Sequence, residues 1–291
     1  MTGIPDEAVQ DAVVSHDVGP NVSRETGSFR VWAADATHGG GRFIGRGRLA
    51  LAALYWVGWL AFSRRTVAGT SIAREVDGLG VGALRLVTSS AILIGLIAVF
   101  QVAYQLSSWG AESMSIRTIA WFVARELGPL TVALLVVARS AAAIAAELAS
   151  MRAGAEIDAL QAMGLDPVKY LVAPKLAALL LVLPALTLLA DSLITFGCWI
   201  GSRVFLGYST SFFLEQYRAA FEQRDLVIGL GKSIIFALII ALVAADEGLS
   251  VESRFGSIGE AATRSIVFSV IGVLAADTVV NAVFYFIPGL V

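Results

Sequence analysis

The sequence predicts an all-α integral membrane protein, and two observations carry that prediction. Hydrophobic residues make up 57% of the 291 residues and charged residues only 15%, with a mean hydropathy of +0.78. A soluble domain averages about 45–50% apolar and about 25% charged residues. The apolar residues also fall into five long runs, and a helix is the open structure that satisfies its own backbone hydrogen bonds in lipid.

Composition argues against several classes of site and partner. The net charge of −2 gives no indication of a nucleic-acid partner. The single cysteine, Cys198, excludes an internal disulfide and a thiolate metal cluster. Both histidines, His16 and His38, lie in the polar N-terminal stretch, so we expect no buried histidine-based metal site or proton relay.

The polar N-terminal stretch, residues 1–41, is predicted to be a flexible tail. It lacks the apolar run after a basic start that is typical of a signal peptide. The helix predicted next, residues 43–66, contains the apolar run Leu49–Phe62, which at about 14 residues is too short to cross a bilayer. Because Tyr55 and Trp56 prefer the headgroup layer, we interpret it as a helix lying in the membrane interface. A short, tilted spanning helix is the alternative.

The five predicted spans are residues 86–106, 127–150, 171–201, 226–246 and 265–287. Thirteen Lys and Arg residues fall on the side that holds the N-terminus and five on the other. The thirteen are Arg24, Arg30, Arg42, Arg46, Arg48, Arg64, Arg65, Arg74, Arg85, Arg152, Lys169, Arg254 and Arg264; the five are Arg117, Arg125, Arg203, Arg218 and Arg224. This asymmetry predicts a cytoplasmic N-terminus. An odd number of spans then places the C-terminus outside.

Two connections between spans are predicted to contain short helices. On the external side, Ser211–Gln223 has aromatic residues at near-helical spacing. On the cytoplasmic side, the stretch Glu156–Leu165 places Ile157, Leu160 and Met163 roughly on one face, and Gly164 is a plausible terminator. An amphipathic helix there is how an ATPase subunit can push on a membrane domain, although an ordinary connecting turn is the alternative.

The segment Gly229–Ser233 resembles the end of a nucleotide-binding P-loop. The full pattern requires glycine at position 226, where this chain has Leu226, and it requires a preceding strand. We therefore predict no nucleotide site in this chain. Lys232 is expected near the outer end of its helix, with its ammonium group reaching the interface.

Several charged residues lie within the apolar runs, where charge is costly and usually faces a partner or a wet cavity. Arg139 and Glu147 are expected to be a buried structural pair, on a helix whose small residues recur every four positions and allow close helix approach. Asp191 and Asp277 leave a carboxylate-based ion pathway open as an alternative.

Several signatures together resemble the MlaE/YrbE-type permeases, the membrane subunits of bacterial ABC systems that move lipids. They are Arg125–Pro129, Ala138–Ala142, Glu147, Met151–Ala153, Asp166-Pro167 and Ala262–Arg264, in the family's order and spacing. The resemblance covers about residues 43–288, within a permease domain of residues 42–291. It implies a homodimer in the bacterial inner membrane, with an interfacial helix and five spans per subunit.

The resemblance also implies partners and site residues. Each permease binds a cytoplasmic ABC ATPase, which carries the ATP, so the chain needs no cofactor of its own and is not an enzyme. A periplasmic MCE-domain protein, usually a hexamer, docks outside, and some systems add a STAS-domain protein. The implied lipid cavity wall comprises Gln105, Leu106, Trp109, Arg125 and Glu126. The implied ATPase contact comprises Glu156, Ile157, Asp158, Leu160, Met163, Gly164, Asp166 and Pro167.

Arg125 is the residue we expect to bind lipid, because a guanidinium near the outer interface can pair with a phosphate. Glu126 is expected to hold Arg125 in place, and a purely structural Arg125–Glu126 pair is the alternative. Two functions remain open at this point. The first is an ABC lipid permease, and the second is a stand-alone, ion-coupled secondary transporter or channel that uses Asp191 or Asp277.

Overall fold

The computed structural model describes residues 49, 51–56, 72–110, 114–251 and 257–286. These residues form helices and connecting turns, with no strand among them. The seven helices from residue 72 onward are α1 (Ile72–Ser107), α2 (Ser115–Ala153), α3 (Glu156–Ala162), α4 (Val168–Val204), α5 (Thr210–Ala220), α6 (Gln223–Leu249) and α7 (Ile258–Phe286). Five of them, α1, α2, α4, α6 and α7, are long and apolar enough to cross a membrane, which confirms the predicted all-α membrane fold.

The central helix of the bundle is α4, which packs against α1, α2 and α6. Its contact with α1 depends on two glycines. A Cβ atom at Gly95 would lie 2.1 Å from the carbonyl oxygen of Ile194, and one at Gly197 would lie 2.3 Å from that of Ile92. The backbones of α1 and α4 therefore touch, as small residues allow where lipid supplies no hydrophobic drive between helices.

Helix α2 is continuous from Ser115, twelve residues before the predicted span at 127–150. It contains two π-helical turns, Val123–Leu127 and Val137–Ala141. Such turns shift the helix register and often occur at functional sites. The first contains Arg125 and Glu126, and the second contains Arg139. The π-turns therefore change the face of the helix on which these charged residues lie.

The two short helices lie at opposite ends of α4, since α3 precedes it and α5 follows it. Ser209 caps the N-terminus of α5, and its side chain accepts a hydrogen bond from the Phe212 amide at 3.2 Å. Helix α3 ends before Gly164, which adopts a φ of +75° that suits glycine. Both predicted short helices are therefore present, and Gly164 terminates α3 as expected.

The predicted tail, residues 1–41, lies outside the described residues. Of the predicted interfacial helix, residues 49 and 51–56 are described and helical. Ala53 and Trp56 are buried whereas Tyr55 is exposed, so this turn has one face on the protein. The Lys169 ammonium lies 4.3 Å from the centre of the Trp56 ring, which ties the segment to the start of α4. Its place in the membrane interface stays a prediction.

Candidate functional site

The predicted lipid-binding residues Arg125 and Glu126 lie in the wall of a cavity of about 250 Å³ between α2, α6 and α7. The other lining residues are Trp121, Ile228, Asn281, Phe284 and Tyr285. The wall thus combines aromatic rings with a guanidinium, a carboxylate and an amide. A mostly apolar pocket with a few placed polar groups is typical of a small-molecule or lipid site.

Arg125 is held by Asp225, not by Glu126 as predicted. The Nε atom of Arg125 donates to Oδ1 of Asp225 at 2.5 Å, and the Asp225 side chain is only 3% exposed. Asp225 occupies the first turn of α6, where its other oxygen accepts the Glu222 amide at 3.4 Å in a capping box. Among the described residues, the two Nη groups of Arg125 have no hydrogen-bond partner, so they are available to a ligand.

Glu126 belongs to a second ionic cluster, centred on Lys232. The Lys232 Nζ atom lies 2.6 Å from Glu126 Oε1, 2.9 Å from Asp277 Oδ1 and 2.7 Å from Asn281 Oδ1. The Lys232 side chain is 1% exposed. The expectation that Lys232 reaches the interface was therefore wrong, because a buried ammonium needs paired charges and hydrogen bonds, and α2 and α7 supply them.

These two clusters set the charge of the site. Arg125 and Lys232 supply two positive charges, and Asp225, Glu126 and Asp277 supply three negative charges when ionised. The site therefore has no excess positive charge. An anionic group that binds here depends on the directed Nη donors of Arg125 rather than on the net charge of the cavity.

The remaining predicted cavity residues lie elsewhere. Gln105, Leu106 and Trp109 are at the end of α1 and the turn that follows, where Trp109 is 75% exposed. None of them lines the cavity that contains Arg125. The sequence reasoning also missed the contribution of α6 and α7. One available signal was that Lys232 and Asp277 are intramembrane charges of opposite sign, which favours their pairing.

The predicted ATPase contact divides into an exposed part and a buried part. Met163 is 66% exposed and Glu156 is also exposed, whereas Ile157 is fully buried and Leu160 is half-buried. The Asp158 carboxylate pairs with Arg152 at 2.7 Å. The three apolar residues that the sequence placed on one face therefore run from the protein interior to the surface.

Asp166 and Pro167 help to begin α4. Asp166 is 1% exposed, and its Oδ1 atom accepts the Val168 amide at 2.9 Å. Pro167 is buried directly before Val168, and its fixed φ suits the start of a helix. These two residues fix where α3 stands relative to α4, while the exposed residues of α3 form the surface that a partner can reach.

The expected Arg139–Glu147 pair is absent, because each residue has other partners. Arg139 donates to the carbonyl oxygens of Gly78 and Leu79 at 3.3 Å. Glu147 accepts from Lys175 at 2.8 Å, and Lys175 also binds a glutamate of α1. Both side chains are exposed on the single chain rather than buried. Within the described parts of the chain, no cluster of His, Cys, Asp or Glu is arranged to hold a metal ion.

Comparison with known proteins agrees with this architecture. The family model described as "Permease MlaE" matches residues 72–283. A probable ABC transporter permease protein of Rickettsia prowazekii is 28% identical over 74% of this chain and 83% of its own length. The intermembrane phospholipid transport system permease protein MlaE of Haemophilus influenzae is 28% identical over 74% and 82%.

A plant protein is also similar. The chloroplastic protein TRIGALACTOSYLDIACYLGLYCEROL 1 of Arabidopsis thaliana is 26% identical over 73% of this chain and 61% of its own length. The family model covers well over half of the chain and all five apolar helices, ending within α7. The chain therefore belongs to the MlaE permease family.

Proposed function

We propose that this chain is the membrane-spanning permease subunit of a bacterial ABC transporter that moves phospholipid. The observation that carries the proposal is the cavity between α2, α6 and α7. Its wall contains Arg125, whose Nη groups have no partner among the described residues, beside Trp121, Phe284 and Tyr285. Guanidinium donors suit a phosphate and aromatic rings suit a lipid body. The name of the Haemophilus relative, which specifies phospholipid transport, supports this substrate class.

In this account the chain binds and releases lipid, and a separate cytoplasmic ATPase supplies the energy. The segment that resembles a P-loop forms part of α6, where Lys232 is committed to carboxylates of α2 and α7. The ATPase docks on the exposed residues of α3 and its C-cap, among them Glu156 and Met163. Because α3 is anchored at the start of α4, movement of α3 would be passed to the centre of the bundle.

The remaining partners follow from family membership. We propose a homodimer in the inner membrane, an MCE-domain protein on the periplasmic face, and in some assemblies a STAS-domain protein in the cytoplasm. The N-terminus is proposed to be cytoplasmic and the C-terminus periplasmic. Cysteines placed at the exposed Glu215 and Ala159 test this orientation, since Cys198 is buried. An impermeant maleimide should label the first position in intact cells and not the second, and the reverse result contradicts the orientation.

Purification of the assembled complex tests the proposal. The chain is expressed with the ATPase and MCE proteins encoded near its gene, isolated through a tag on the permease, and its bound lipid is identified by mass spectrometry. We expect the ATPase to co-purify and phospholipid to be retained. If the isolated permease carries no lipid and catalyses ion-driven uptake without any ATPase, the chain is instead a secondary transporter.

A further inference from the structure

Another cavity, of about 360 Å³, is lined by residues of α2, α4 and α6 and of the end of α5. Its wall combines the polar and aromatic residues Asp191, Thr195, Tyr217 and Phe221 with apolar side chains such as Leu188. A single water needs only about 10–15 Å³ of such space. The cavity is therefore large enough for a polyatomic group.

The carboxyl group of Asp191 has no partner in this structure. The residue is 9% exposed, and neither carboxyl oxygen has a hydrogen-bond partner among the described residues. Oδ1 lies over Gly128, in the space that a side chain at that position would fill. An ionised carboxylate without a partner is costly inside a membrane helix, so we expect this carboxyl group to be neutral when no cation is bound. A cation bound beside Asp191 would let its carboxyl group ionise.

The rest of the wall suits an organic cation. The rings of Tyr217 and Phe221 stack with their centres 5.6 Å apart, and the Tyr217 and Thr195 hydroxyl groups are 3.2 Å apart. Aromatic faces beside a carboxylate are the usual environment of an alkylammonium group. A calcium ion would need about six to eight oxygen ligands, which this wall does not offer. Among the described residues that line the wall, Asp191 and Tyr217 are the titratable ones, and none is a lysine or an arginine.

We propose that this cavity is a binding site for an organic ammonium group, with Asp191 as its counter-ion. When the cation enters, the Asp191 side chain turns from Gly128 toward the cavity and releases its proton to solvent. The ammonium group is either the headgroup of a zwitterionic lipid or a free amine. This proposal does not depend on the function proposed for the Arg125 cavity. Ala124 lines the Asp191 cavity, and the next residue of α2, Arg125, lines the other.

The protonation state of Asp191 can be measured directly. The full chain is placed in nanodiscs of phosphatidylglycerol, which has no amine, and the infrared band of its protonated carboxyl groups is recorded. The Asp191 component is the part of the band that Asp191→Asn removes. Tetramethylammonium and ethylammonium are then titrated in, and their binding is measured by calorimetry. Glu215→Gln, an exposed carboxyl on α5 outside the cavity wall, is the matched control.

We expect either amine to abolish the Asp191 band. Both amines should bind Asp191→Asn at least about tenfold more weakly than the wild type, and should bind Glu215→Gln as tightly as the wild type. Nanodiscs of phosphatidylethanolamine or phosphatidylcholine separate the two sources: loss of the band without added amine identifies a lipid headgroup, and its loss only with soluble amine identifies a free ligand. If Asp191→Asn does not insert, Tyr217→Leu replaces it and should weaken tetramethylammonium binding. The proposal is overturned if the Asp191 band persists in every lipid and at saturating amine. It is also overturned if the amines bind Asp191→Asn, or Tyr217→Leu in its place, as tightly as they bind the wild type.

Discussion

The Nε atom of Arg125 in α2 lies 2.5 Å from Oδ1 of Asp225 in the first turn of α6. This ion pair uses the Nε–H group of the guanidinium, which leaves both Nη groups without a partner among the described residues. Arg125 is also the charge partner of the buried Asp225 carboxylate. The effect of removing Arg125 is therefore a sum of two losses, a ligand contact and a charge partner, and variants can separate them.

Arg125→Ala is predicted to reduce co-purified phospholipid by about tenfold or more, since charge-assisted hydrogen bonds to phosphate contribute about 1.5–3 kcal/mol. Arg125→Lys should restore part of it, because a point charge replaces a planar fork. Lipid is quantified by mass spectrometry per mole of permease. Arg117→Ala, an exposed arginine near the start of the same helix, is the control and should retain normal lipid.

The double variant Arg125→Ala/Asp225→Asn separates binding from stability. It removes the buried charge that the single variant leaves unpaired, so its thermal stability should be higher than that of Arg125→Ala. Lipid should remain low in both variants. Recovery of lipid in the double variant would mean that Arg125 serves the fold and that the headgroup is bound elsewhere.

Lys232→Met is predicted to be destabilising, because it leaves the half-buried carboxylates of Glu126 and Asp277 without their cation. Breaking a buried ionic cluster typically costs about 3–5 kcal/mol. Lys232→Met/Asp277→Asn removes one of the stranded charges and should recover part of the loss. The unfolding temperature in detergent measures both variants. Equal unfolding temperatures for Lys232→Met and the wild type would contradict the buried cluster.

Gly229 and Gly231 are predicted to respond oppositely to alanine. A Cβ atom at Gly229 would lie 2.1 Å from the carbonyl oxygen of Ala124, whereas one at Gly231 meets nothing within 4 Å. Gly229→Ala should force α6 away from α2 and lower the unfolding temperature. Gly231→Ala should be neutral or stabilising, by up to about 1 kcal/mol. If the two variants behave alike, these glycines do not serve helix packing.

The long helices could be predicted from the sequence because the apolar excess and the length of each run are local properties. The short helices α3 and α5 were also accessible, since the terminator Gly164 and the aromatic spacing around Tyr217 lie within a few residues. The predicted span at 127–150 missed the start of α2, because Ser115–Leu127 carries charged residues that a hydropathy pattern excludes. Arg125 and Glu126 are tolerated because residues of α6 pair with them, and Arg117 is exposed.

The partners of the charged residues could not be predicted, because they depend on how distant helices pack. Arg125 and Asp225 are 100 residues apart in the chain. Glu126 and Lys232 are 106 residues apart. Because Arg125 and Glu126 are neighbours in the chain, a pair between them was the simplest prediction, and it was wrong. The π-turn at Val123–Leu127 also changes which face these residues occupy. A pattern based on 3.6 residues per turn cannot show that change.

Met163→Glu is predicted to weaken ATPase binding while the permease still inserts in the membrane. Met163 is 66% exposed on the surface proposed to meet the ATPase, so a new charge there affects docking and not folding. Ile157→Glu is the contrast, because Ile157 is fully buried and its replacement should reduce folded protein. Pull-down of the ATPase by tagged permease measures the effect. Normal ATPase recovery by Met163→Glu would place the contact elsewhere.

The central claim, that the chain is the lipid-conducting subunit of an ABC transporter, is tested most directly by lipid transfer in proteoliposomes. The permease is reconstituted with its ATPase and MCE partners, and movement of a fluorescent phospholipid is followed with and without ATP. The account predicts transfer that requires ATP, the permease and an intact ATPase site, and that falls in Arg125→Ala. Transfer that is independent of ATP, or that is driven by an ion gradient through the permease alone, would contradict it.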